Sequence, residues 1–190
     1  SPDTQIYFSP LSYTRAPTGT RPLMSPDPFP GFLLGFNPCK PTSRGFVRIK
    51  SKDPLAAPEM YGNYLSTEHD RLLMRDGMKL MRKIGATPEL QSVVASELSP
   101  GSDVNSDQEF DEFVRKNSWT VYHQCGTCRM GIDPKQSVVD EQLRVHGVHG
   151  LRVVDASIFP TVPTGNTNGP TIAVAEKAAI MITNYMIKRS

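Results

Sequence analysis

The sequence predicts an α+β chain, with an antiparallel β-rich region that carries helices followed by a strand–loop–buried helix unit. Three observations point there. Residues 1–45 show no helical period and are broken by proline. Two later segments open with helix-capping residues and then repeat apolar side chains every three or four positions. The segment after Pro170 is rich in Ala, Ile and Met, as in a mostly buried helix that packs closely against a neighbour.

Each element follows in order. Ser9-Pro10, Thr14–Pro22, Ser25–Pro30 and Asn37–Thr42 interrupt the first 45 residues, so extended strands and loops are expected. Ser43-Arg44-Gly45 signals a turn. Phe46-Val47-Arg48-Ile49-Lys50 then alternates like a half-buried strand, with Val47 and Ile49 inward and Arg48, Lys50 and Lys52 on a solvated face. Thr67 and Asp70 form a capping-box pattern for a helix with Leu73, Leu80, Met81 and Ile84 on one face, ending near Gly85. Pro88–Leu98 reads as a second, weaker helix. Ser106 and Glu109 make another capping box, opening a helix through Phe110, Phe113 and Val114 to about Asn117. Between 119 and 169 short segments alternate with Gly and Pro, among them the apolar strand Leu151–Val154. Pro170 marks the start of a final helix reaching about Lys188.

Composition narrows the function classes. With 38% hydrophobic and 21% charged residues, the chain is of ordinary globular type. A net charge of +2, with Lys and Arg dispersed, gives no footprint for nucleic acid. No apolar run approaches the ~18 residues of a membrane span. Ser1-Pro2-Asp3 has no leader-like character. Three cysteines do not make a disulfide scaffold, which favours a reducing, cytoplasmic compartment.

Two stretches could do chemistry. In Tyr122–Gly131, the Cys125-x-x-Cys128 spacing invites a redox or zinc reading. A redox pair needs a helix N-terminus, and Arg129–Pro134 cannot sustain a helix. A zinc site needs four ligands, which only His123, His146 and His149 could help complete. The cysteines read as structural. His123 stands where an apolar run gives way to a Gly-rich turn, as a working imidazole or as a satisfied structural one. In Thr164–Pro170, unpaired N–H groups at a helix start would stabilise an anion or a ring carbonyl gaining charge. The plain alternative is a loop whose Asn side chains cap the backbone.

The two stretches belong to one ordered series. Tyr122–Gly131 is followed by Val138–Asp140, Leu143–Gly147, Gly150–Pro160, Gly165–Asn168 and Ala175–Ala179. This order closely resembles the C-terminal part of the glucose–methanol–choline (GMC) oxidoreductase family, most specifically over about residues 118–188. The segments at 43–49 and 63–66 resemble that family's substrate domain less specifically.

The resemblance implies FAD as cofactor and oxidation of an alcohol to an aldehyde or ketone. It implies His123 as general base, with hydride leaving to flavin N5. The family's second catalytic residue lies about 43 residues further on, which selects Asn166 over Asn168. Tyr122, Asp155, Ala156, Asn166, Thr167, Asn168 and Pro170 match flavin-contacting positions. The family's Gly-x-Gly-x-x-Gly fingerprint occurs nowhere in the 190 residues. The resemblance therefore also implies an N-terminal FAD-binding chain or segment as partner. Residues 1–118 would then form part of a substrate-binding (cap) domain. Residues 119–190 would be the catalytic segment that completes a Rossmann-like domain, and the chain would not fold stably alone. The only other expected ligand is a small alcohol. The lack of charge beside His123 favours a neutral primary or aromatic alcohol over a choline-like cation. Alternatives are a non-redox flavoprotein of this fold, such as a lyase or photodecarboxylase, or a Cys/His metal-binding domain.

Overall fold

In the computed structural model, residues 2–14 and 25–187 are described. Most of the Pro-rich stretch at 14–22, and the helix end expected at Lys188, lie outside them. The chain forms two compact units. One contains residues 4–38 and 71–118, the other residues 1–3, 39–70 and 119–190.

In the first unit, β1 (Thr4–Ser9) pairs antiparallel with β4 (Leu33–Pro38), Thr4 opposite Pro38 and Ser9 opposite Leu33. The short strands β2 (Tyr13–Thr14) and β3 (Ser25–Pro26) pair in the same sense. The long helix α1 (Glu68–Gly85) runs through most of its length in this unit. Its buried positions include Gly77 and Met81, whereas Leu80, expected inward, is exposed. Gly77 lies against Phe36 of β4. A Cβ there would stand 2.1 Å from the ring's Cε2. Alanine ordinarily stabilises a helix interior over glycine by up to about 1 kcal/mol. Here overpacking reverses the sign. Gly77→Ala is expected to destabilise by about 1–3 kcal/mol, read as a lower thermal midpoint, and a raised midpoint would refute the close contact.

α2 covers only Pro88–Gln91, not the stretch to Leu98. Ser92 and the β-branched Val93 and Val94 have weak helix propensity, and nothing in α2 is buried to hold a longer helix. α3 (Asp107–Asn117) has the predicted reciprocal capping box, Ser106 accepting from the Glu109 N–H and Glu109 accepting from the Ser106 N–H. Phe110 and Val114 are its buried side chains, and the Arg82 guanidinium lies 5.0 Å from the Phe110 ring centre. Arg75 of α1 pairs with Asp107 and Asp111 of α3.

The second unit holds β5 (Phe46–Arg48), paired antiparallel with β6 (Glu59–Tyr61). Val47 and Ile49 do not point inward; they are 51% and 89% exposed. The opposite face is used. Phe46 sits across from Tyr61, ring centres 5.6 Å apart, and the Arg48 guanidinium covers the Phe46 ring. Gly45 brings the two backbones together, since a Cβ there would meet the Tyr61 carbonyl oxygen at 2.0 Å.

The pattern at Thr67 is realised by half. The Asp70 N–H donates to Thr67 Oγ1 at 3.3 Å, but the Asp70 carboxylate does not return the bond. It accepts instead from Thr42 N–H (2.7 Å), Thr42 Oγ1 (3.0 Å) and Ser43 N–H (2.9 Å). Asp70 is 2% exposed. Burial alone would raise its pKa, yet hydrogen bonds from Ser43 and Thr42 together outweigh it and hold the carboxyl below its usual value.

The Leu151–Val154 strand is reduced to one isolated bridge, Arg144 to Arg152, alongside bridges Met130–Val139 and Val139–Val145. Gly147 and Gly150, both at positive φ, reverse the chain too soon for a longer ladder. The core here is Val139, Leu143, Ile158 and Ala178, with Met130, Val145, Val153, Val154, Phe159 and Val174 packed around them. Ala178 belongs to α4 (Asn168–Ile187), which starts two residues before Pro170. The helix is less buried than expected. Ile172, Ile180, Met186 and Ile187 are all exposed. Among the described residues, no helix is long and apolar enough to cross a membrane.

Candidate active site at the entrance of the C-terminal helix

His123 lies in an irregular turn, where the sequence suggested the end of a strand. The turn is shaped from both sides. Tyr122 takes φ +61°, its N–H donating to Thr120 Oγ1 at 3.0 Å. The Gln124 side-chain amide donates to Tyr64 Oη and to Thr120 Oγ1, each at 2.6 Å. Downstream, the Gly126 and Cys128 N–H groups both donate to the Ser157 carbonyl at 3.0 Å, and Met130 N–H donates to Ile158 O at 2.8 Å. The half-buried imidazole of His123 places Nδ1 3.1 Å from Thr167 Oγ1.

Thr167 immediately precedes α4. Its carbonyl accepts from Thr171 N–H at 3.0 Å and Thr171 Oγ1 at 2.7 Å, which makes Thr167 the residue that starts the helix. Pro170 has no N–H, so Asn168 and Gly169 carry the amides at the positive end of the helix dipole. The approach is open. Gly165, at φ +113°, and Gly169 have nothing within 4 Å of where a Cβ would be. Asn166 and Asn168 are exposed, as is Tyr122 at 74%. Beneath the loop lies the buried Cys39 thiol, whose pKa burial pushes up against a bond from the Gly165 backbone.

The structure thus brings His123 to the Asn166–Asn168 loop through Thr167. Asp155 and Ala156 stand at a 3-10 turn (Ala156–Ile158), with Asp155 Oδ1 accepting from Ser157 N–H at 2.7 Å. Asp155 therefore shapes the turn that anchors Gly126 and Cys128. The Thr167–His123 pairing was not anticipated. A Thr three residues before a Pro at a helix start was the available signal, because proline removes one of the two amides such a hydroxyl normally caps. Cys125 and Cys128 are free thiols, and burial raises the Cys125 pKa against the opposing charge of Arg44. His146 is engaged away from them, its Nε2 3.1 Å from both Ser137 Oγ and the Gly131 carbonyl. Among the described residues, no group of three or more His, Cys, Asp or Glu could hold a metal ion.

An imidazole beside an open, glycine-flanked helix N-terminus can move a proton next to a group that gains negative charge. The comparisons give the class of protein, an oxidoreductase, and narrow it. The chain belongs to the GMC oxidoreductase family, whose sequence profile matches residues 41–175. The cofactor of that family is FAD. An oxygen-dependent choline dehydrogenase of Chromohalobacter salexigens is 50% identical over 149 residues, 78% of this chain and 26% of that protein. Among solved structures, pyridoxine 4-oxidase from Mesorbium loti aligns with TM-score 0.79 and 35% identity, covering 96% of this chain and 35% of that one. A fungal aryl-alcohol oxidase aligns with TM-score 0.74 and 37% identity, over 82% and 26%. The chain spans about a quarter of the length of the curated relatives it matches.

Proposed function

We propose that this chain is the acid–base side of an FAD-dependent enzyme that oxidises a small alcohol to an aldehyde or ketone. The observation that carries the reading is His123, held 3.1 Å from the loop that carries Asn166, at the start of α4. His123 takes the alcohol's hydroxyl proton as general base, its imidazole being suited to proton transfer near neutral pH. The α-hydrogen leaves with its electron pair, so the carbinol carbon becomes a carbonyl. FAD, when bound, supplies the hydride acceptor at flavin N5. Asn166 donates an amide hydrogen bond to the same oxygen and does not titrate. Tyr122, Asp155, Ala156, Thr167, Asn168 and Pro170 form the wall toward the flavin, and the open helix entrance leaves room for a flat ring. An N-terminal FAD-binding segment of the same enzyme supplies the phosphate-binding turn and covers the exposed apolar side of α4. In that enzyme residues 1–118 contribute to the substrate side, with 39–70 packed on the catalytic segment 119–190. The hydrogen-bonding groups around His123 are uncharged, which suits a neutral primary or aromatic alcohol. Three free thiols suit a reducing, cytoplasmic location.

The test is an absorbance spectrum of the complete enzyme, with anaerobic addition of benzyl alcohol or of choline. Flavin bands that bleach are expected, faster with the neutral alcohol. A colourless protein that rebinds no FAD sinks the reading, and a flavin that no alcohol bleaches indicates a non-redox flavoprotein. Within this scheme Asn166→Ala is expected to slow flavin reduction by about 10²-fold, the cost of one donor to a developing oxyanion. Asn168→Ala should cost less than tenfold, and the reverse order would move the second catalytic position to Asn168.

A further inference from the structure

We infer that Thr167 is a positioning residue for His123: its hydroxyl accepts the imidazole Nδ1–H and so leaves the Nε2 lone pair as the base. The inference rests on His123 being the base, and three features of the structure support it. First, the Thr167 backbone is fixed by two bonds from Thr171, so its side chain projects from the rigid end of a 20-residue helix. A β-branched residue there has little χ1 freedom. Second, a hydroxyl at the helix start ordinarily accepts from the amide two or three residues on. At the third position stands Pro170, which has no amide, so one of the two usual donors is missing, and the oxygen is engaged by His123 instead. Third, His123 Nδ1 lies at 3.1 Å, an ordinary N–H···O separation, and its turn is held in place by Thr120, Gln124 and Tyr64.

Neutral imidazole has one donor and one acceptor nitrogen, and the partner of one decides the role of the other. With Nδ1–H committed to Thr167, turning the ring over would break that bond, and Nε2 is left as the acceptor. The hydroxyl thus serves the base, not the cofactor, although it lies in a loop facing the flavin.

The test compares Thr167→Val, which keeps the shape and removes the hydroxyl, with Thr167→Ser in the complete enzyme. Thr167→Val is expected to keep its flavin spectrum and a KM within about twofold, while anaerobic flavin reduction slows about ten- to hundredfold, the scale of a misplaced catalytic group. Thr167→Ser should recover most of the rate. A Thr167→Val enzyme that reduces at the native rate overturns the inference, and so does one that loses flavin, which would give the hydroxyl to the cofactor. Histidine 15N shifts of the native enzyme, assigned with His123→Gln, provide a measurement needing no Thr167 variant. A protonated Nδ1 is expected, and a protonated Nε2 with bare Nδ1 overturns the inference. If His123→Gln leaves flavin reduction intact, the underlying base assignment fails; if only Thr167→Val does, the positioning role alone fails.

Discussion

His123→Ala is expected to lower the rate of flavin reduction by about 10²–10⁴-fold, the range that a positioned general base contributes, with much less effect on alcohol binding. The reason is differential. In the proposed mechanism the imidazole meets the substrate hydroxyl in both ground and transition states, but only as the O–H bond breaks does its basicity count. Removing it leaves the helix N-terminus and Asn166, which favour negative charge but cannot remove a proton. The expected signature is therefore a fall in kcat and kcat/KM together at nearly unchanged KM. Stopped-flow reduction under anaerobic conditions measures this directly. A reduction rate within a factor of two of the native enzyme removes His123 from the base role.

The largest stability effect is expected at Asp70. Its carboxylate accepts from three donors on Thr42 and Ser43 in a buried place. Asp70→Asn presents an NH₂ group to those donors and leaves at least one buried amide unpaired, at about 1–3 kcal/mol for each stranded group. We expect about 3 kcal/mol in all, seen as a clear drop in thermal midpoint. The pH dependence has a definite sign. The folded carboxyl titrates below the unfolded value of ~3.9, so its contribution is complete above that pH and is lost as pH falls through the lower folded value. The native protein should therefore lose stability on acidification below about pH 4 more steeply than Asp70→Asn. Parallel curves would mean that the carboxylate is not the group holding the Thr42–Ser43 turn.

Local signals translated well where the physics is local. The Ser106–Glu109 box and the apolar positions of α3 are decided within one helical turn, and the structure has both. Alternation in 46–50 revealed a strand but not its inner face, because that is decided by Tyr61, fifteen residues away. The Asp70 carboxylate likewise left its expected local partner for Thr42 and Ser43, 28 and 27 residues earlier. At the site, His123 and the Asn166 loop could be linked only through the ordered resemblance, since neither is persuasive alone. The hydroxyl that joins them belongs to Thr167, 44 residues from His123, and no local motif pairs the two.

The Ser157 carbonyl, which receives the Gly126 and Cys128 amides while Asp155 receives that of Ser157, acts as a hinge pin between stretches some thirty residues apart. Side chains at 157 can vary without touching it, but the peptide plane cannot tilt without tugging on the turn below His123. The 155–157 turn and the turn that carries His123 are therefore mechanically one part. A displacement of Asp155 would reach that turn through its carboxylate and the backbone bonds of Ser157, so in the proposed enzyme cofactor seating and base alignment would adjust together.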